Sequence, residues 1–340
     1  MIPHDVVLHY RMNVYTIEFP KNCLKQCKCA LHLPFNRNRG RHRTAATSGL
    51  PLQSSRELAK SRQRESELPN PVLIDKYAAS LVATGPPTAL DPMLQNQHSI
   101  ATRYIDELLM SAMSATSLNR IAQGDYRQVV LLADGMDTRP FRMNWPEGTI
   151  MFLIAPSECH ELAEAVLKQV GATVPRGCML RRVNADLLRS NATLGSDLEA
   201  CGFRPDRLSV WALQGLSGLG LGVTEVTGLL ADITSVAAFN SLVFGELPHM
   251  SRDDATNMLA DCGLLGAVLE HEEALGILKP DSCLQLNNQG NLIAQGDFVQ
   301  TSKWLFSSQQ LRLSLAQMGV FERHSKEAED VDEDFFGNFS

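Results

Sequence analysis

Ten residues carry the densest chemistry in this chain: ADGMDTRPFR, positions 133–142, directly after the apolar run QVVLLA at 128–133. Gly135 can let the backbone turn and approach a ligand closely. Asp137 or Thr138 can cap a following helical turn, with Pro140 near its first position. The segment has a single glycine, so it is not the G-x-G-x-x-G fingerprint of dinucleotide binding. As pattern alone it is a strand-to-helix turn. No other set in the chain offers a nucleophile with its base. The 9 histidines contain no H-E-x-x-H spacing, and there is no Walker-type loop and no kinase set. Catalytic residues stay unassigned and no metal site is expected. Cys23, Cys27 and Cys29 stand near His32, but the spacing is not a zinc pattern and no second ligand pair follows.

These residues sit in a chain of 340 residues, 44% of them hydrophobic, which is enough to bury a sizeable core. The net charge of −7 hides an asymmetry. Between Met1 and Arg64 there are 12 Lys/Arg against 3 acids, Asp5, Glu18 and Glu57, so this end is basic and the remainder acidic. An acidic body has no excess positive charge for phosphate backbones, and no nucleic-acid partner is expected. No apolar run reaches the roughly 20 residues a bilayer span requires. Leu208 to Thr224 is uncharged but is broken by Gln214, Gly215, Gly218, Gly220 and Gly222. No membrane partner is expected. Cys159, Cys178, Cys201, Cys262 and Cys283 form no close pair and read as reduced thiols.

Residues 1–69 lack sustained periodicity, and His42 to Arg64 is rich in Ser, Thr, Arg and Gln. Such a stretch cannot bury enough apolar surface to offset its ordering entropy. It reads as a disordered basic extension. Its composition also fits an organelle transit peptide, though Asp5 and Glu18 fit that less well. The folded domain is expected over 70–325, followed by an acidic tail at 326–340. Its first helix is NPVLIDKYAASLV (70–82), with Leu73, Ile74, Tyr77, Ala78 and Leu81 on one face, and its second is Ile100 to Ile121. Strands follow at 128–133, 149–155, 179–183, 208–213 and 241–247. Helices are expected at Glu158 to Val170, Leu194 to Cys201, Thr224 to Val236 and Asp253 to Cys262. Alternation of this kind argues for an α/β fold, a doubly wound and mostly parallel sheet with helices on both faces.

The segment RQVVLLADGMDTRPFRMNWPEGT resembles the first motif of the leucine carboxyl methyltransferase-like family, and its D-T-R core followed by an aromatic and Arg is fairly specific to it. DKYAASLV and ATRYIDELL resemble the family's N-terminal helices, and VNADLL, CGFRPDRLSVWALQGL and LVFGELP follow in the family's order. The resemblance covers about 70–250, more weakly to about 325, and is closest to plant members. It implies a class I methyltransferase fold, Rossmann-like and seven-stranded, with N-terminal helices, that binds S-adenosylmethionine. Arg103 matches the arginine that pairs with the cofactor's methionine carboxylate, a role suited to a guanidinium fork. Read without the resemblance, it is a surface helix arginine. Gly135 matches the glycine where backbone approaches the cofactor, and Asp137 and Arg139 match the loop-holding core. Asp186 and Leu187 match the pair that receives the adenine; a helix N-cap is the plainer role for Asp186. Gln214 falls where many members carry an acid near the methionine amino group.

One departure is large. After the second strand the family places an acid that accepts from the ribose hydroxyls, whereas FLIAPSECHE puts Leu153 and Ala155 there, with Glu158 the nearest acid. Three readings follow. The first is an S-adenosylmethionine-dependent methyltransferase, transferring to oxygen on an unidentified acceptor, a small molecule or a protein carboxylate. Methyl transfer needs positioning rather than a covalent intermediate, which suits a chain without an evident nucleophile. The second is a noncatalytic protein of the same fold that has lost the cofactor and serves as an interaction module. The third, a nicotinamide-dependent oxidoreductase, is disfavoured by the missing glycine fingerprint. The chloroplast is the expected compartment, with the cytoplasm as alternative.

Overall fold

The computed structural model describes residues 49–85, 91–114, 126–188, 193–278, 304–320 and 323. Three N-terminal helices come first: α1 (Leu50–Ser66), the short α2 (Ala78–Val82) and α3 (Pro92–Ser114). The alternating part runs β1 (Gln128–Leu132), α4 (Arg139–Arg142), β2 (Ile150–Ala155), α5 (Ser157–Gln169), β3 (Met179–Asn184), α6 (Leu194–Ala200) and β4 (Ser209–Leu213). It continues with α7 (Val223–Val236), β5 (Leu242–Leu247), α8 (Arg252–Asp261), β6 (Leu264–Glu270), α9 (His271–Leu278) and β7 (Trp304–Gln310).

The strands form one 7-stranded sheet in the order β3-β2-β1-β4-β5-β7-β6. The first five are parallel, and β7 runs antiparallel to both β5 and β6. β1, β4 and most of β2 and β5 are buried on both faces, which is why they read as continuous apolar runs rather than alternating ones. One face is covered through Leu194, Leu198, Val226, Leu230, Ile233 and Met258 of α6, α7 and α8. On the other, Ile105, Leu109 and Met113 of α3 pack on Val129, Leu131, Leu153 and Val210. The chain leaves β1 toward β2 and β3, then crosses to β4 on the opposite side. That reversal opens a crevice at the carboxyl ends of β1 and β4, the usual ligand position in such sheets.

The five expected strands and the four helices after 150 are found within a residue or two at each end, whereas the helix expected from Ile100 to Ile121 begins earlier, as α3 at Pro92, and 115–121 lie outside the described residues. The first helix is shorter than its pattern suggests: only 78–82 is helical, and Ile74 points to solvent. The start of the folded body needs correction. It was expected at residue 70, but α1 is an ordered helix over Leu50–Ser66 whose Leu58, Ala59, Ser55 and Arg62 are buried. Its inward stripe is largely polar, so hydrophobic periodicity does not reveal it. The remainder of the expected extension (1–48), the tail from 324 onward and the Cys23, Cys27 and Cys29 group lie outside the described residues. The seven-stranded sheet that the resemblance implies is found, but its antiparallel pair β6 and β7 is not among the strands located by pattern.

Candidate functional site

The loop after β1 is built by its own acids. Asp134 Oδ1 accepts the Met136 amide at 2.9 Å, and Asp137 Oδ1 accepts the Arg139 amide at 2.8 Å, so each aspartate closes a turn on the backbone two residues ahead. The chain enters the loop through Ala133 at φ +76, a left-handed conformation that a non-glycine residue adopts at a cost.

A buried ionic network fixes this loop to the N-terminal helices. Arg139 donates to Asp106 Oδ1 at 2.6 Å, to Asp137 Oδ2 at 2.7 Å and to Gln214 Oε1 at 2.7 Å. Arg142 donates to both oxygens of Asp106, at 2.6 and 3.0 Å. Arg62 of α1 donates to Asp75 at 2.9 Å, to Asp134 at 2.5 Å and to the Met136 carbonyl at 2.8 Å. Burial opposes ionisation of Asp106 and Asp75, but Arg142 and Arg139 beside the one, and Arg62 beside the other, hold both carboxyls below the usual range. Every charge has a partner of opposite sign, the condition on which buried ions are tolerated.

Gly135 has two covers. A Cβ there would lie 2.5 Å from the Cβ of Cys159 on α5, so helix packing alone requires glycine. Above it, the Gly135 amide donates to Ser55 Oγ of α1 at 2.9 Å. Gly215 is held similarly: its amide donates to Glu246 Oε2 at 2.8 Å, its carbonyl accepts Ser54 Oγ at 3.4 Å, and a Cβ would meet Leu58 at 2.6 Å. Burial pushes Glu246 up to about 7 and drives His98 down to about 4. The buried thiol of Cys159 is pushed up to about 12, which removes it as a nucleophile at neutral pH.

Of the residues expected to bind the cofactor, the structure gathers Gly135, Asp137, Asp186, Leu187 and Gln214 at the strand ends, in different roles. Asp137 is consumed by Arg139. Gln214 is fully buried; its Oε1 accepts from Arg139 and its Nε2 donates to Thr102 Oγ1 at 2.8 Å. Asp186 Oδ1 accepts the Leu188 amide at 3.0 Å, and Asp186 and Leu187 line the crevice with Ala155, Pro156 and Ala133. Arg103 is not brought to this group: it is 42% exposed on α3 and pairs with Glu107 one turn on. The residues of α3 that reach the buried network are its neighbours Thr102 and Asp106. At the end of β2, Leu153 packs in the core while Ala155 faces the crevice, and Glu158, in the first turn of α5, is exposed outside it.

No sequence pattern marks Ser54, Ser55, Leu58 and Arg62, because they lie in a stretch that reads as a solvated tail. Glu246 left a trace: it is the lone acid in the apolar run LVFGEL. With α1 seated, Pro51 closes the crevice against Asp186 and Leu187, and the cavity that remains is about 10 Å³. Pockets that hold small ligands measure roughly 300–1,000 Å³. Pro51, Ser54, Ser55 and Leu58 of α1 occupy the space beside Asp186, Gly135 and Gly215. Among the described residues no cluster suits a metal ion, and no helix is long and apolar enough to cross a membrane.

The leucine carboxyl methyltransferase family profile matches residues 57–234, from within α1 to the end of α7. O-methyltransferase 1, chloroplastic, of Oryza sativa subsp. japonica is 30% identical over 304 residues, covering 84% of this chain and 78% of its own length. A protein of Parafrankia sp. (strain EAN1pec) assigned to the S-adenosyl-L-methionine-dependent methyltransferases is 32% identical over 213 residues, 59% of this chain and 63% of its own. A Thermobifida fusca crystal structure assigned to a methyltransferase aligns with 79% of this chain and all of its own at TM-score 0.44 and 9% identity, too loose a likeness to carry a functional argument.

Proposed function

Because this chain belongs to the leucine carboxyl methyltransferase family, we propose that it is an S-adenosylmethionine-dependent methyltransferase acting on an oxygen of its acceptor. The observation that carries this reading is the 57–234 match, which contains β1 to β4, every strand that borders the crevice. Transfer to oxygen follows the name of the rice relative, and the acceptor is a small molecule or a protein carboxylate. Asp186 and Leu187 are assigned to the adenine, with Gly135 and Asp137 shaping the loop beside it. Arg103 and Gln214 give this reading little support, since one is paired at the surface and the other is spent inside the network. The chloroplast is the compartment that fits both that relative's name and the basic, acid-poor sequence before α1.

A noncatalytic role is the second reading. It is favoured by Ala155, which brings a methyl group where a ribose-binding carboxylate is expected. Calorimetric titration of the full chain with S-adenosylmethionine, S-adenosylhomocysteine and NAD separates the readings. The methyltransferase binds the first two and not the third. Heat from NAD alone would overturn the assignment, and silence with all three would favour the noncatalytic protein.

A further inference from the structure

The helix that closes the crevice meets it with polar groups in just the places a ligand would need. Ser55 Oγ accepts the Gly135 amide, and Ser54 Oγ donates to the Gly215 carbonyl. Leu58 and Ser54 press into the space that the absent side chains of Gly215 and Gly218 leave open, with Ser54 Oγ 2.3 Å from where a Gly218 Cβ would lie. Pro51 reaches the adenine end beside Asp186. All four belong to the first half of α1. The second half is fastened differently: Arg62 is tied to Asp75 and Asp134, Glu65 Oε1 accepts the Val72 amide at 2.7 Å, and Ser66 Oγ accepts the Asp75 amide at 2.8 Å. Serine hydroxyls on glycine backbone groups are contacts that a ligand's own polar atoms can replace, whereas the arginine pairs, if broken, leave bare buried charge.

Resting on the methyltransferase reading, we propose that the first half of α1, Pro51 to Leu58, is a gate standing closed in the cofactor crevice, and that its Arg62 end is the pivot about which it opens. The cofactor then binds only to the open form, and its apparent affinity is the intrinsic affinity scaled by the open fraction.

Cys159 supplies the test, because it and Ser55 meet the same residue, Gly135, from its two sides. In the full chain carrying Ser55→Cys, copper–phenanthroline with dioxygen, which takes up the two electrons and two thiol protons, links the introduced thiol to Cys159 and locks the gate, with the bond verified by peptide mapping. Calorimetry should show that the locked protein binds S-adenosylmethionine at least about a hundredfold more weakly than the same variant reduced. Equal affinity in the locked and reduced forms would overturn the gate while leaving the methyltransferase reading intact. A second variant, Leu58→Ala, weakens the closed form and should tighten binding about three- to tenfold. It decides alone if the link fails to form, since unchanged or weaker affinity there overturns the gate. Absence of binding by every form, Leu58→Ala included, would overturn both gate and methyltransferase.

Discussion

Two helices meet at Gly135 and are held there by opposite means. α5 lies below, with Cys159 against the glycine, and buries Ala163, Val166 and Leu167 at the spacing of an apolar stripe. α1 lies above, with Ser55 on the glycine amide, and buries Ser54, Ser55, Leu58, Ser61, Arg62 and Glu65 at the same helical period. The geometry is shared and the chemistry is not. An apolar stripe gains by leaving water whatever it touches, so α5 is permanent structure. A polar stripe gains little unless every group finds its partner, so the seat of α1 depends on a few individual contacts.

Breaking one residue on each side should expose this difference. Arg62→Ala leaves Asp75 and Asp134 buried without their cation and should cost about 3–5 kcal/mol. Leu167→Ala leaves a cavity and should cost about 2–4 kcal/mol. Their pH dependence should differ. Asp75 has its carboxyl lowered in the folded chain, so its pairing contributes stability above the unfolded value of 3.8 that is lost as pH falls through the lower folded value. The Arg62→Ala deficit should therefore shrink on acidification, while that of Leu167→Ala should stay level. Hydrogen exchange should also find the first variant loosened within 50–66 and the second destabilised throughout. Parallel deficits at every pH would mean that α1 is held as α5 is.

A smaller effect should come from Glu246, which carries the Gly215 amide beneath α1 on Oε2 while its buried Oε1 has no hydrogen-bond partner among the described residues. Its folded value of about 7 lies above the ordinary 4.5, so the folded chain holds this proton more tightly than the unfolded one. Stability is then fullest below pH about 4.5 and is lost as pH rises to about 7. Glu246→Gln keeps an oxygen for Gly215 and removes the charge. It should stabilise the protein by roughly 1–3 kcal/mol at pH 8 and change little at pH 5, as urea unfolding can measure. A destabilisation at pH 8 would show that the carboxylate has a partner of opposite charge in the folded protein.

The same contrast governs what was legible in the sequence. β1, β2, β4, β5, α5 and α7 announce themselves through apolar runs and periods, and the D-T-R loop through the family it resembles. Arg62 announces nothing: in RELAKSRQRES it stands among charges that normally face water, and only the fold brings it to Asp134, 72 residues away. Asp106 looks like Glu107 beside it in YIDELL, yet one is enclosed by Arg139 and Arg142 and the other lies at the surface with Arg103. Family resemblance located the crevice and the loop but pointed to Arg103 rather than to α1. A resemblance transfers positions, whereas contacts depend on how this chain packs over them.

The smallest effect should come at Ala133, the seam between the two helices, and it tests whether the loop stores strain. Its φ of +76 costs an alanine roughly 1–2 kcal/mol that a glycine does not incur. Against that, glycine forfeits about 0.5–1 kcal/mol through the greater freedom of its unfolded chain. The methyl group is also buried, where it faces Pro51 across the crevice, and its removal gives up as much as about 0.8 kcal/mol. The three terms nearly cancel, so Ala133→Gly should change stability by less than about 0.5 kcal/mol at 25 °C. A gain above about 1 kcal/mol would mean that the methyl is poorly packed and the strain unrelieved. A comparable loss would mean the reverse: that the contact between Ala133 and α1 is worth more than the backbone conformation costs, and that the seat of α1 is partly apolar after all.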